Sequence, residues 1–180
     1  MVRKPYPPGE KRKRRTRALS EYGKELREKQ KLKNWYNLKE RQFRKYVREI
    51  LDRRGKIEDA ADFLIRKLES RLDNVVFRLG FASSRVQARQ LVSHNHFLVN
   101  NKAVNAPAYQ VKKGDKITIS PKGRKKTIFQ NLLTLIKKYK PPSWLELNVE
   151  KLEGKVIREP TLEGAVPPVE ISSIFEYYSR

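Results

Sequence analysis

The chain holds 180 residues, of which 42 are Lys or Arg and 20 are Asp or Glu, giving a formal net charge of +22 at pH 7. A compact domain with that excess repels itself unless a polyanion neutralises it, which points first to nucleic acid and next to an anionic membrane surface. The 180 residues contain no cysteine, which excludes disulfides and thiolate metal sites, and no apolar run approaches the roughly 20 residues of a membrane span.

The charge is uneven: residues 1–140 carry 38 basic and 13 acidic side chains, whereas residues 141–180 carry 4 and 7. The basic character therefore belongs to one surface, with the tail turned elsewhere. The length suits one domain or two small ones. A hydrophobic content of 38% is modest, so part of the chain is expected to pack only with its partner. The start, through Pro5, Pro7, Pro8 and Gly9, has no apolar stretch that could serve as a signal peptide, and the protein is expected to stay where it is made.

Residues 1–19 read as an extended basic arm, with Arg12, Lys13, Arg14, Arg15 and Arg17 almost uninterrupted. Such a run orders on a phosphate backbone or stays a solvated tail. Ser20 is a candidate N-cap for a first helix running to Asn34 and Trp35. Asn37, with Glu40 three residues on, marks the start of a second. Phe43, Tyr46, Val47, Ile50 and Leu51 then form one apolar stripe, opposite Arg41, Arg44, Lys45 and Arg48, with a stop at Gly55. A third helix fits Glu58 to Ser70. Leu72, Val75, Val76 and Leu79 continue the 3.6 period, and Gly80 stands where a left-handed residue is wanted.

Ser84 and Gln87 have capping-box spacing, opening a short helix whose buried side is Val86, Leu91 and Val92 and whose end is Asn95. The period then changes to 2. His96–Val99 and Lys102–Val104 flank an Asn100-Asn101 turn; Tyr109–Val111 and, after Lys113-Gly114-Asp115, Lys116–Ile119 complete a small antiparallel sheet. A helix fits Thr127 to Tyr139, and the remainder reads as short strands and loops.

No enzyme is visible. A Gly-rich phosphate loop with its lysine is absent, carboxylates are scattered among basic neighbours, and His94 and His96 lack the further ligands a metal needs, so no cofactor is expected. Recognition remains. Arg85 and Arg89 share one face of the Ser84 helix beside Gln90, and its N-terminus offers free N–H groups suited to phosphate. Arg71 and Arg78, seven residues apart, are expected to project from the preceding helix, and Lys102 from the sheet. These arginines either face folded RNA, where guanidinium forks meet phosphates and unpaired bases, or pair with Glu69 and Asp73.

The run Leu72-Asp73-Asn74-Val75-Val76-Phe77-Arg78-Leu79-Gly80-Phe81-Ala82-Ser83-Ser84-Arg85, with Ala88-Arg89-Gln90-Leu91-Val92-Ser93-His94, resembles the signature of the small-subunit ribosomal protein four family, bacterial type. The likeness continues through Val99-Asn100-Asn101-Lys102, Tyr109-Gln110-Val111 and Gly114-Asp115. It extends to Leu19-Ser20-Glu21-Tyr22-Gly23, Leu26-Arg27-Glu28-Lys29-Gln30-Lys31, Glu40-Arg41-Gln42-Phe43-Arg44, Ser143-Trp144-Leu145-Glu146 and Tyr178-Ser179-Arg180. Pseudouridine synthases, tyrosyl-tRNA synthetases and a small heat-shock protein share the central module only.

The resemblance implies an α+β fold: an extended basic arm (1–19), a helical domain (20–70, completed by 160–180) and an inserted α/β RNA-binding module (71–159) made of a helix pair and a small antiparallel sheet. It implies a structural constituent of the small ribosomal subunit that binds the 5′ domain of 16S rRNA early in assembly. Neighbouring ribosomal proteins three and five and mRNA near the entry channel are the other implied partners, with an effect on decoding accuracy. Arg15 and Arg17 lie about where the family's channel-lining basic residues occur. Tyr22, Arg27, Lys29, Lys31, Arg41, Arg44, Arg48, Arg71, Arg78, Ser84, Arg85, Gln87, Arg89, Gln90, His94 and Lys102 join the arm as candidate RNA contacts. The implied location is a ribosome, cytoplasmic or organellar, and some family members repress their own mRNA.

Three departures stand out. Family members usually carry a further N-terminal stretch, often with zinc-binding cysteines, whereas this sequence contains no cysteine, so zinc is not expected here. Asn95 and Asn101 stand where Gly is common, and Phe77 where Tyr is usual.

Overall fold

A computed structural model of the chain describes residues 18–52, 59–124, 126–130, 132, 136 and 139–179. The basic run Arg12–Arg17, the stop at Gly55, the start at Glu58 and much of the helix expected over 127–139 lie outside the described residues.

Helix α1 (Glu21–Trp35) opens on Ser20, whose hydroxyl accepts the Gly23 N–H at 3.2 Å. It closes on Asn37 in the left-handed region (φ 51°), with Leu38 N–H donating to Lys33 O and Asn37 N–H to Asn34 O. Asn37 therefore ends α1 and does not cap the next helix, correcting the sequence reading. Helix α2 (Glu40–Leu51) has Lys39 at its N-cap, with no side-chain cap bond. The Asx–Glu spacing imitates a capping box, but the chain needs positive φ at Asn37 to turn the corner.

The α2 stripe is realised: Phe43, Val47 and Ile50 are buried, while Arg41, Arg44, Lys45 and Arg48 are exposed. Helix α3 (Ala60–Glu69) is capped by Asp59, which accepts the Asp62 N–H. Helix α4 (Leu72–Arg78) ends on Gly80 at φ 77°, where a Cβ would lie 2.8 Å from the Tyr139 ring. In helix α5 (Arg85–Ser93), the Ser84 hydroxyl takes the Gln87 N–H. The Gln87 side chain reaches one residue further back than a capping box requires, to the Ser83 N–H and hydroxyl. Its buried face is Ala88, Leu91 and Val92, and Val86 is 61% exposed. Val86 lies two residues, about 200°, from Ala88 on the wheel, so the expectation that it is buried is corrected. Asn95 (φ 60°) ends the helix as expected, with His96 N–H donating to Leu91 O.

Strands β1 (Phe97–Val99) and β2 (Lys102–Ala103) flank Asn100 (φ 49°) and Asn101 (φ 65°), the signs that a type I′ turn demands. Strand β3 (Lys116–Ile119) pairs with β1. After the short helices α6 (Pro121–Arg124) and α7 (Thr127–Gln130), a hairpin of β4 (Leu145–Asn148) and β5 (Glu153–Val156) joins β3. The sheet is antiparallel with order β2-β1-β3-β5-β4. Tyr109–Val111 is not one of its strands. That segment lies beside the α3–α4 corner: Val111 N–H donates to Ser70 O, Leu72 N–H to Tyr109 O and Asp73 N–H to Pro107 O. The carbonyls of this loop satisfy free N–H groups at the start of α4, a use of the segment that alternation alone does not signal.

Past a short helix α8 (Leu162–Ala165), helix α9 (Ile171–Ser179) lays Ile171, Ile174 and Phe175 against α1 and α2. Two apolar cores result among the described residues. One joins α1, α2, α3, α8 and α9; the other joins α4, α5, the sheet and Phe129, Leu132 and Ile136. The architecture is α+β, a helical unit with an α/β module between its third helix and its C-terminal helices.

A polar clasp holds α9 to α1 and α2. Glu40 accepts from Lys29 at 2.9 Å, Lys33 at 3.2 Å and Tyr178 at 2.7 Å, and Lys29 also stands 4.6 Å from the Tyr177 ring centroid. Burial alone would raise the Glu40 carboxyl, but the bonds from Lys29, Tyr178 and Lys33 outweigh it and hold it at about 2, below the ordinary 4.5. A depressed folded-state value contributes stability that is complete above pH 4.5 and lost as pH falls through about 2. Glu40→Gln therefore lowers the thermal midpoint near neutrality, and the gap from wild type narrows once pH drops below about 4.5. A gap that stays constant in melts down to about pH 2 contradicts this assignment.

Candidate nucleic-acid interface

The two cores meet across a buried ionic cluster built on Glu69, the last residue of α3, and Asp73, in the first turn of α4. Glu69 is fully buried. One carboxylate oxygen accepts from Tyr36 Oη and Arg78 Nη2, both at 2.7 Å; the other accepts from Asn74 Nδ2 at 2.6 Å and Arg78 Nε at 3.0 Å. Asp73, 4% exposed, accepts from Arg71 Nε and Nη2 at 3.0 and 2.7 Å and from Arg89 Nε and Nη2 at 3.1 and 2.9 Å. Arg89 Nη1 also donates to Asn37 O at 2.5 Å, tying α5 to the end of α1.

Arg85 Nε donates to Asn74 Oδ1 at 2.8 Å, and its guanidinium carbon lies 4.6 to 5.1 Å from the ring centroids of Phe77, Trp35 and Tyr36. Burial lowers the Arg85 pKa from its ordinary value. Burial would also lower Arg71 and Arg78, but hydrogen bonds to Asp73 and Glu69 outweigh it and raise both. Burial and the Glu69 carboxylate push the Tyr36 phenol up, so it stays a donor.

Of the two readings of these arginines, pairing with Glu69 and Asp73 is the one visible in the free chain for Arg71, Arg78 and Arg89, whereas Arg85 is held by Asn74. Arg71 does not project from α4. It precedes the helix, is 1% exposed, and gives its third donor nitrogen, Nη1, to Tyr46 Oη at 2.7 Å. The seven-residue spacing to Arg78 indicates a shared face only if both residues are helical, and Arg71 has extended backbone (ψ 138°). Lys29 is 4% exposed within the α9 clasp, and so is likewise enclosed.

The remaining candidates fall into two groups. Side chains of Arg78, Arg85, Arg89 and Gln87 are partly exposed and already engaged, Lys31 pairs with Glu28, and Tyr22, 49% exposed, lies against Tyr177. Ser84 is exposed while capping α5, and Gln90, His94 and Lys102 are exposed on α5, its C-cap and β2. Arg27, Arg41, Arg44 and Arg48 are exposed, and make no hydrogen bond or ion pair among the described residues.

Lys39, Arg41 and Lys45 form one wall of a cleft of about 560 Å³ whose other wall includes Arg89, Pro107 and Ala108. The cleft thus brings the free cations of α2 beside the engaged arginine of α5. Lys39 and the 107–108 loop were not singled out by sequence reasoning. The signal for Lys45 was present in its i, i+4 relation to Arg41; for the loop there was none.

Among the described residues, no group of three or more His, Cys, Asp or Glu side chains converges to hold a metal ion, and no helix is long and apolar enough to cross a membrane.

Residues 1–69 match the Ribosomal protein S4/S9 N-terminal domain, and residues 70–117 match the S4 domain. The chain is 44% identical over all 180 residues, and 85% of that protein, to the small ribosomal subunit protein uS4 of Thermus thermophilus. It is 48% identical over 179 residues, and 84% of that protein, to the protein of the same name from Caldicellulosiruptor bescii. The uS4 protein of Natranaerobius thermophilus is 46% identical over 178 residues, with 84% of it covered.

Fold and matches together define an RNA-binding protein with an S4 module. The chain belongs to the small ribosomal subunit protein uS4 family, whose relatives here are named as ribosomal proteins and not as enzymes.

The two kinds of cation differ in what their removal does. Arg71→Ala strips Asp73 of one of its two guanidinium partners inside the protein and costs about 3 kcal/mol or more of stability in denaturant titration. Replacing Arg44 and Arg48 together by Ala changes stability by less than about 0.5 kcal/mol, because neither holds anything in place. Comparable losses in both variants would show that Arg71 is no core residue.

Proposed function

We propose that this chain is a structural constituent of the small ribosomal subunit that binds the 5′ domain of 16S rRNA and nucleates assembly of the subunit body, with no catalytic role. The observation that carries the reading is the row of exposed, unpaired cations on α2 meeting Arg89 across the cleft between the two cores. Free cations contribute counterion release, a sequence-independent term that weakens steeply with salt. The engaged arginines of α4 and α5 contribute a surface of fixed shape, which is how folded RNA is distinguished.

In this reading the chain divides into an arm of 1–19, a helical unit of residues 20–70 completed by 160–180, and a module of 71–159; the presence of two separate cores supports the last two. Within it, Arg27, Arg41, Arg44 and Arg48, with Lys39 and Lys45, act as phosphate contacts. Arg78, Ser84, Arg85, Gln87, Arg89, Gln90, His94 and Lys102 act as the shape-selective set, and Tyr22 and Lys31 are further contacts on α1. Arg71 and Lys29 act from inside, holding neighbours in place. Arg12, Lys13, Arg14, Arg15 and Arg17 are, in this reading, contacts for RNA, including mRNA near the entry channel. Ribosomal proteins three and five are the neighbours in this reading, and the ribosome is its location.

The test is a titration of the purified chain against the 5′-domain fragment of 16S rRNA at several salt concentrations, with tRNA as competitor. Binding to the fragment that survives competitor and raised salt is the expected result. Equal affinity for tRNA and fragment would replace the ribosomal reading with that of a general RNA-binding regulator.

Deleting residues 1–18, which carry a dense share of the positive charge, reduces the slope of log affinity against log salt and leaves the folded cores intact. An unchanged slope would mean that the arm takes no part.

A further inference from the structure

Glu69 and Asp73 are out of place in a chain that attracts RNA by positive charge. Both carboxylates lie beneath the arginines of α4 and α5 and cancel part of their field. Burial of an acid also carries a desolvation cost. What they supply is geometry.

Arg78 is gripped along one edge, through Nε and Nη2, while its Nη1 makes no hydrogen bond among the described residues. Arg85 is held through Nε by Asn74, whose amide nitrogen is in turn held by Glu69. Three aromatic rings surround the Arg85 guanidinium, and its Nη1 and Nη2 make no hydrogen bond among the described residues. Arg89 is fixed by Asp73 and by the carbonyl of Asn37 on the other unit. One pair of acids therefore sets the guanidinium planes of three arginines. Through the Arg89–Asn37 bond, it also sets where α5 stands relative to the α2 cations.

We propose that Glu69 and Asp73 are positioning residues for RNA selection: buried acids that never touch RNA, yet decide which RNA the arginines fit. The proposal rests on the RNA-binding reading above. It separates affinity from selection, because neutralising either acid adds one net positive charge while loosening the array. Attraction to any RNA then holds or rises, whereas preference for one folded RNA falls.

The experiment uses the full chain with Glu69→Gln, Asp73→Asn and, separately, Arg78→Lys, which keeps the charge but cannot form the two-pronged grip. Affinities for the 16S 5′-domain fragment and for tRNA are measured over one series of salt concentrations, at a temperature where circular dichroism shows each variant folded. The expected result is that the fragment-to-tRNA preference falls about tenfold or more in each variant. Affinity for tRNA stays constant or rises, and the salt slope is unchanged.

Preference equal to wild type in the folded variants overturns the proposal, as does a proportionate loss toward both RNAs. If either acid variant fails to fold, Arg78→Lys decides alone, since its side chain is 17% exposed and removes no buried acid. A wild-type chain without preference for the fragment overturns the RNA-selection reading itself, and this proposal with it.

Discussion

Two carboxylates inside a strongly basic protein set the terms for everything around them. Glu69 and Asp73 stand at successive helix ends, where α3 hands over to α4, and between them they engage Arg71, Arg78 and Arg89 directly and Arg85 through Asn74. Among the described residues the apolar side chains form two separate clusters, each sufficient to define its own unit. What joins those clusters is ionic and hydrogen-bonded, so the joint is directional where an apolar contact would be permissive. Against a typical total stability of about 5–15 kcal/mol, losing one partner from such a pair removes a large fraction. Enclosed arginines here are therefore first a matter of architecture.

That architecture divides the basic surface into two kinds. Cations on α2 have no protein partner among the described residues and keep their rotamer freedom; they can follow a phosphate backbone wherever it runs. Arginines on α4 and α5 have already given up that freedom to Glu69, Asn74 and Asp73. The cleft lined by Lys39, Arg41 and Lys45 opposite Arg89 is where the two kinds adjoin. An RNA that crosses it meets adjustable charge on one side and fixed shape on the other.

Much of this was legible in the sequence, because it is written in local rules. The caps at Ser20 and Ser84, the left-handed turns at Gly80 and Asn95, the Asn100-Asn101 hairpin and the α2 stripe each depend on residues within one or two turns of one another. The misses involve longer range. Asn37 resembled a cap because the spacing to Glu40 is right, yet its role is fixed by the angle between α1 and α2. Val86 invites a core assignment for being apolar, although its position on the wheel opposes Ala88. Tyr109–Val111 alternates like a strand but pairs with the α3–α4 corner. Helix α9 is short and follows Pro167-Pro168, so its residues alone suggest a loop. For the arginines, both outcomes were visible in the sequence, since Glu69 and Asp73 lie close to Arg71. Only the fold brings Arg89 to the same carboxylate from sixteen residues away.

The central claim is that α2 and the α4–α5 face act on RNA as one surface because the buried acids hold them in register. Hydrogen–deuterium exchange of the whole chain, free and bound to the 5′-domain fragment of 16S rRNA, tests it most directly. The account predicts that slowed exchange appears in α2 and in α5 together, at the same RNA concentration. Protection confined to one of the two units, or appearing in them at separate concentrations, would contradict it.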